Sequence, residues 1–501
     1  MRVVTITAAP LTLGDLLAIA DGAKVELAAD VRATIAASRA VIDRMLEGTE
    51  PVYGLNTGVG HMKDSVLPAE ELRSGQVMVL MTHAGGTGPP LDTERVRGAM
   101  AARLHGITRG GSGASPRVAE VLFAMLNTGV HPVVPSGGSV GAGDLGQMAS
   151  VGQVMIGRGR AEFGGEVMAG ADAMARAGIE PLQVEPKDGL TIVSSNAVSV
   201  ADAARAVERA ERVAAAADVV AALSLEATSG NPSIVQPAVG DAKPFPGQRA
   251  SCAAVTGALE GSFLLEPGAP RSVQDPLSFR VIPQVHGALR EAIAAARHAV
   301  EVELNGRGDN PLVSIDDDAM VHNGNFHPLV MAIAFDQLRI AMTHVGQIAE
   351  RRMSHLWDLF FERIAGAGVP PPGWTPPELF GLQLRYPAAA TFSALRHLAA
   401  PATLDTPPLD IGVEDHATAA PLTVRLTGEA LGLLEQILSI EVLMANDVMN
   451  TAQTPASPLG AGTGAMSATA RAAIDDLSDD RSPAEVQRRV AAAMFGPTGQ
   501  A

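Results

Sequence analysis

The sequence predicts a mainly α-helical protein, and two observations carry that reading. Ala is abundant, β-branched runs are few and short, and several long stretches place apolar residues at helical spacing. Pro and Gly gather instead in short segments between those stretches. In chain order, residues 198–225, 287–302, 328–356 and 422–445 read as long helices. Ala on every side of such helices predicts burial within a bundle rather than a single wetted face. The segments 85–90, 106–115, 132–146, 244–247, 267–270 and 368–377 read as loops, and Gly-rich loops are where function concentrates. No internal repeat is present, and the only biased tail is the short 496–501 end.

With 501 residues the chain has room for two or three average domains. Lys and Arg total 37 against 54 Asp and Glu, a formal charge of −17. A chain this acidic repels phosphate backbones, which argues against nucleic acid and anionic membranes as partners. Apolar residues at 47% supply a large core and exclude a disordered chain. The apolar stretch 213–223 is broken by Asp218 before it reaches the roughly 18 residues a membrane span needs. The N-terminus shows no clear hydrophobic core and cleavage site of a secretory signal. A single cysteine, Cys252, excludes an intramolecular disulfide and any zinc site built from several Cys ligands. The expectation is a soluble, cytoplasmic protein acting on a small molecule.

Several loop strings are too particular to be connectors. They are Val52-Tyr53-Gly54-Leu55-Asn56-Thr57-Gly58, Thr82-His83-Ala84-Gly85-Gly86, and Gly138-Ser139-Val140-Gly141-Ala142-Gly143-Asp144-Leu145. Gln274-Asp275, Arg280, Asp309-Asn310-Pro311, Gly324-Asn325-Phe326-His327 and Glu414-Asp415-His416 follow. Each is weak alone. Together, in this order from about residue 51 to about 418, they resemble the histidine and aromatic amino-acid ammonia-lyase family. The resemblance implies a mainly α, fumarase/aspartase-like fold with a long central helix bundle. It also implies a homotetramer whose active sites combine residues from three subunits. On that basis residues 1–200 are expected to carry the catalytic Tyr loop and a degenerate cofactor loop, 201–360 the bundle, and 361–501 a helical region with the Glu-Asp-His loop.

In the usual members an Ala-Ser-Gly tripeptide cyclises into a methylidene-imidazolone (MIO) electrophile that activates the departing amine. Here Ala142 is followed directly by Gly143, so the serine is missing. Ser139 lies too early and is followed by Val140, a poor site for the same cyclisation. The expectation is that no MIO forms and that the chain carries no cofactor. Two further positions depart from the family: Leu277 stands in place of a Tyr, and Ala394, by ungapped counting, in place of the Glu that handles the substrate amine.

Much else is kept. By the resemblance, Tyr53 matches the general base and Arg280 the residue that pairs with the substrate carboxylate, a task suited to a guanidinium fork. A quaternary ammonium leaves as a neutral tertiary amine without covalent activation, and it has no N–H for a Glu to hold. Loss of both Ser and Glu therefore fits a betaine substrate. His83, in a context like that of histidine lyases, and Glu414, which matches an acid of those enzymes, point to an imidazole ring held through its N–H. Together these indicate elimination of trimethylamine from a histidine-derived betaine: ergothioneine, giving thiourocanate, or hercynine. A histidine ammonia-lyase releasing ammonia and a non-catalytic family member are the alternatives.

The remaining candidates are less sharply drawn. As a base, Tyr53 needs its pKa lowered from about 10, hence nearby cations or donors. The family's pocket Asn is either replaced by Ser194 or displaced to Asn196. Asn325 and Phe326 are expected to shape the pocket, though Gly324–His327 also suits a helix-entry turn. Arg385 stands where the family usually has Gln; it either stabilises charge building on a thione or pairs with a surface carboxylate. Tyr53, Phe326 and Tyr386 are the aromatic candidates for a trimethylammonium group, each equally suited to core packing. His322 and His327 lack a nearby acid to complete a metal site. Asp316-Asp317-Asp318 reads as a solvated turn, and Gly110-Gly111-Ser112-Gly113 lacks the Lys-Ser/Thr of a phosphate loop.

Overall fold

A computed structural model of the chain describes residues 2–366, 378–451, 457–477 and 480–496. The expected loop at 368–377 lies outside them, as does most of the 496–501 end. The structure is mainly helical. The four expected long helices are present as Ala197–Thr228, Ile282–Asn305, Leu329–Gly366 and Ala420–Asn450. Three extend beyond their predicted spans at both ends, while the helix expected from 328 starts at Leu329 and runs on to Gly366 through apolar residues such as Trp357, Leu359 and Phe360.

By compactness the chain divides into two units, each assembled from three stretches. The first comprises Met1–Ala206, Arg297–Ile333 and Pro401–Val424, and the second Val207–Ala296, Ala334–Ala400 and Arg425–Ala501. Four of the five boundaries fall inside the four long helices, and the fifth, between residues 400 and 401, follows the Arg385–His397 helix. Each of the four long helices therefore supplies residues to both units.

The second unit is held by apolar packing and buried ion pairs. Leu225, Val255, Leu259, Leu264, Phe279 and Ile282 form its core, each contributing about 1.5–3 kcal/mol by leaving water. Glu441 accepts from Ser224 Oγ at 2.6 Å and from Arg352 Nε at 2.6 Å, joining three of the long helices. Asp218 likewise takes His286 Nδ1 at 2.8 Å and Arg290 Nη2 at 2.5 Å. Removing one partner of such a buried group leaves an uncompensated charge, so these contacts fix helix register.

The first unit holds the short β elements of the described residues, among them Thr87–Pro90 paired with Pro135–Gly137. Both strands fall in segments read from sequence as loops. Pro and Gly keep the backbone extended there, but the pairing is non-local and has no periodic side-chain signature. Leu55 sits fully buried with Val41, Ile42 and Val313, which anchors the turn carrying Tyr53.

Candidate active site

Tyr53, His83, Ser194, Asn196, Asn325, Phe326, Glu414 and the Ala142-Gly143 loop all belong to the first unit. The Tyr53 turn is braced by Asn56, whose Oδ1 accepts from Val52 N at 2.6 Å and whose Nδ2 donates to Glu50 O at 2.9 Å. This leaves the Tyr53 ring half-buried, edge-on to His322 with centroids 6.2 Å apart. Its hydroxyl oxygen accepts from the Gly60 backbone N–H at 3.3 Å.

The tyrosine's surroundings differ from the expectation. Burial pushes its pKa up; the Gly60 N–H opposes that, and the Glu414 and Asp410 carboxylates push further up. The first unit thus provides one donor to the hydroxyl and surrounds it with negative charge. A cation placed beside the hydroxyl would offset these carboxylates and ease its ionisation.

Glu414 follows a strained turn. Asp410, Ile411 and Gly412 all have positive φ, at 45°, 56° and 82°. For the two non-glycine residues that conformation costs about 1–3 kcal/mol each, and such strain persists where surrounding contacts enforce it. Here Leu409 N donates to Glu414 O at 2.8 Å, and Asp410 accepts from His61. Burial raises the Glu414 carboxyl above the ordinary range, Asp410 adds to that, and His83 opposes it. His83 ends the Leu72–Thr82 helix, with Nδ1 2.8 Å from the Val79 carbonyl. A carbonyl only accepts, so Nδ1 carries the proton and Nε2 is the ring nitrogen left for a ligand.

The shortened loop is fully tied down. Ser139 Oγ donates to Gly143 O and accepts from Gly141 N, both at 3.1 Å. Thr418 Oγ1 donates to Gly141 O at 2.7 Å, and Ala419 N donates to Val140 O at 2.9 Å. Gly141, at φ +86°, has no room for a side chain, since a Cβ would lie 2.2 Å from Thr418 Oγ1. Asn196 Oδ1 accepts from Gly143 N at 3.2 Å while its Nδ2 donates to Phe326 O at 2.9 Å. Buried Asp144 accepts from Ser199 N at 2.8 Å and Ser199 Oγ at 2.9 Å. These residues do not fit an MIO precursor. Ala142 and Gly143 share a peptide bond with no residue between them to supply the alkene carbon, and Ser139 is occupied in bracing the loop.

Asn196 lies between the loop and the Phe326 backbone, with both ends of its amide used. Ser194 lines a small internal cavity of about 40 Å³ with Arg103, Glu303 and Asp309, room for a water or two. Exposed Asn325 sends its Nδ2 to Arg307 O at 3.4 Å. Arg280, Arg385 and Tyr386 belong to the second unit. Arg280 donates to the Gln274 side-chain oxygen. Arg385 Nη2 bonds Glu350 Oε1 at 2.7 Å and Ser354 Oγ at 2.6 Å. Glu350 is only 6% exposed, so Arg385 pairs with a buried carboxylate rather than a surface one. Tyr386 is 77% exposed and edge-on to Trp357 at 6.2 Å. Residues missed from sequence are Asp410, His61 and Thr418, whose only signal was proximity to the Tyr and Glu-Asp-His strings. Among the described residues no cluster of three or more His, Cys, Asp or Glu is placed to hold a metal, and no helix is long and apolar enough to cross a membrane.

The family model described as aromatic amino acid lyase matches residues 11–472. The chain belongs to that family. It is 36% identical over 480 residues to a histidine ammonia-lyase of Gloeobacter violaceus, covering 94% of this chain and 91% of that protein. In fold it is similar to the ergothioneine-degrading enzyme ergothionase of Treponema denticola, crystallised with desmethyl-ergothioneine sulfonic acid. That match has TM-score 0.90 and 28% identity over 98% of both chains. Histidine ammonia-lyase from Trypanosoma cruzi matches with TM-score 0.84 and 28% identity, over 99% of this chain and 93% of that one. The chain is therefore an ammonia-lyase-type carbon–nitrogen lyase with the mainly helical fold of that family.

Proposed function

We propose that this lyase eliminates trimethylamine from a histidine-derived betaine, with ergothioneine going to thiourocanate, and does so without an MIO electrophile. The observation that carries this reading is the loop in which Ala142 joins Gly143 directly, in a unit that still assembles Tyr53, His83 and Glu414. Tyr53 as phenolate takes the β-proton, the Cα–Cβ double bond forms, and the C–N pair leaves with nitrogen as neutral trimethylamine. No proton is needed on the leaving group. The permanent cation also suits the negative surroundings of Tyr53 and favours the phenolate. Glu414 and His83 orient the ring, and Arg280 holds the substrate carboxylate, entering from another subunit of a homotetramer as the family resemblance implies.

A second reading is histidine ammonia-lyase activity. The names of the sequence relatives support it more directly than the first, and His83 with Glu414 serves an imidazole ring in either case. Supplying purified protein with ergothioneine, hercynine and histidine in parallel, and measuring both amines released, separates the two. Trimethylamine without ammonia supports the proposal. Ammonia from histidine alone supports the second reading.

A further inference from the structure

The Tyr53 hydroxyl receives its one N–H donor from Gly60, and Gly60 belongs to a short 3₁₀ turn, Gly60–Met62, with no buried residue of its own. A second short turn holds it in place. Asp410 Oδ2 accepts from the His61 backbone N–H at 2.8 Å, and Asp410 Oδ1 lies 2.6 Å from His61 Nδ1. The approach is close: a Cβ on Gly60, at φ +59°, would sit 2.2 Å from Asp410 Oδ2. Asp410 itself is in the left-handed region, as is Ile411 after it, so the carboxylate is presented at the cost of backbone strain.

We propose that Asp410 is a positioning residue for Tyr53. Its carboxylate clamps the Gly60–Met62 turn so that the Gly60 N–H stays on the phenol oxygen and stabilises the phenolate. This rests on the reading of Tyr53 as the base. An N–H bonding an anionic oxygen is stronger than one bonding a neutral hydroxyl, so the clamp favours the reactive form. Asp410 also acts in the opposite sense, since its charge disfavours a second anion beside it. The groups facing the Tyr53 hydroxyl are the Gly60 N–H, Glu414 and Asp410, with the His322 ring alongside.

These two effects make the clamp measurable without any substrate. The chain has only two tyrosines, so in a Tyr386→Phe background tyrosinate absorbance near 295 nm reports Tyr53 alone. Asp410→Asn keeps an acceptor for the His61 N–H and removes the charge, so the titration midpoint should move down. Asp410→Ala removes both, frees the turn and should move it up. Circular dichroism across the same titration confirms that the fold persists, and Asp410→Glu is compared where the alanine variant does not fold. Both variants moving down would overturn the clamp and leave Asp410 as a charge only. With substrate, Asp410→Ala should lower kcat at least tenfold with KM within about twofold, and Asp410→Asn should restore most of it. If Tyr53→Phe retains turnover while the opposite optical shifts are seen, the base assignment fails and the clamp stands.

Discussion

Thr418 donates its hydroxyl hydrogen to the Gly141 carbonyl at 2.7 Å, which ties the segment after Glu414 directly to the Ala142-Gly143 loop. The same hydroxyl oxygen accepts from Ala420 N at 3.1 Å. One buried side chain thus sets where the shortened loop lies relative to the Glu-Asp-His segment. Thr418→Val leaves the buried Gly141 carbonyl and Ala420 N–H unsatisfied and should cost about 1–3 kcal/mol of stability. Thr418→Ser should behave like the parent. Denaturant unfolding of the three proteins checks this.

Tyr53→Phe should lower turnover by about 10²–10⁴-fold with no change in unfolding midpoint, the range expected for removing a general base. The pH dependence carries more detail. In the free protein burial and two carboxylates hold Tyr53 above its ordinary value, so activity rises toward alkaline pH as the phenolate forms. A bound quaternary ammonium lowers that value. The alkaline-side rise in kcat, which reports the bound complex, should therefore lie at lower pH than the rise in kcat/KM. Coincident profiles would count against a cationic substrate beside Tyr53.

Glu414→Gln should weaken recognition of the ring. A hydrogen bond to a charged acceptor is worth about 1.5–3 kcal/mol, so kcat/KM should fall roughly tenfold to a hundredfold. Because burial and Asp410 raise the Glu414 carboxyl, its protonation begins at a higher pH than for an exposed glutamate. The acid-side loss of kcat/KM should start correspondingly early, and in the glutamine variant only the loss that follows Tyr53 protonation should remain.

Stability should fall as pH rises through neutrality. Burial raises Glu303 to about 7 and Asp144 to about 6, each above its unfolded value. A group raised in this way binds its proton more tightly when folded. Its contribution is complete below the unfolded pKa, near 4, and is lost as pH climbs through 6 to 7. The thermal midpoint should be higher at pH 5.5 than at pH 8, and Glu303→Gln should reduce that difference.

Helical periodicity made the four long helices legible, because an apolar repeat is a local property of the chain. The ordered Gly-rich strings pointed to Tyr53, His83 and Glu414, which the structure places in one unit. What stayed hidden depends on contacts between distant segments. Nothing near Asp410 in sequence announces that it grips the His61 backbone, nor that Asn196 bridges Gly143 and Phe326. Arg385 illustrates the same limit, since its partner Glu350 lies on a different helix. The two-unit division was hidden because it cuts through helices that read as continuous.

If a tertiary amine is eliminated with no electrophilic alkene in the protein, turnover should be indifferent to a reagent that reduces one. Borohydride reduces such an alkene, so trimethylamine release from ergothioneine is best measured before and after borohydride treatment and removal of the reagent. The same rate of trimethylamine release is expected from both samples. Activity abolished by the treatment, or ammonia from histidine that disappears with it, would show instead that an electrophile forms from residues other than Ala142 and Gly143.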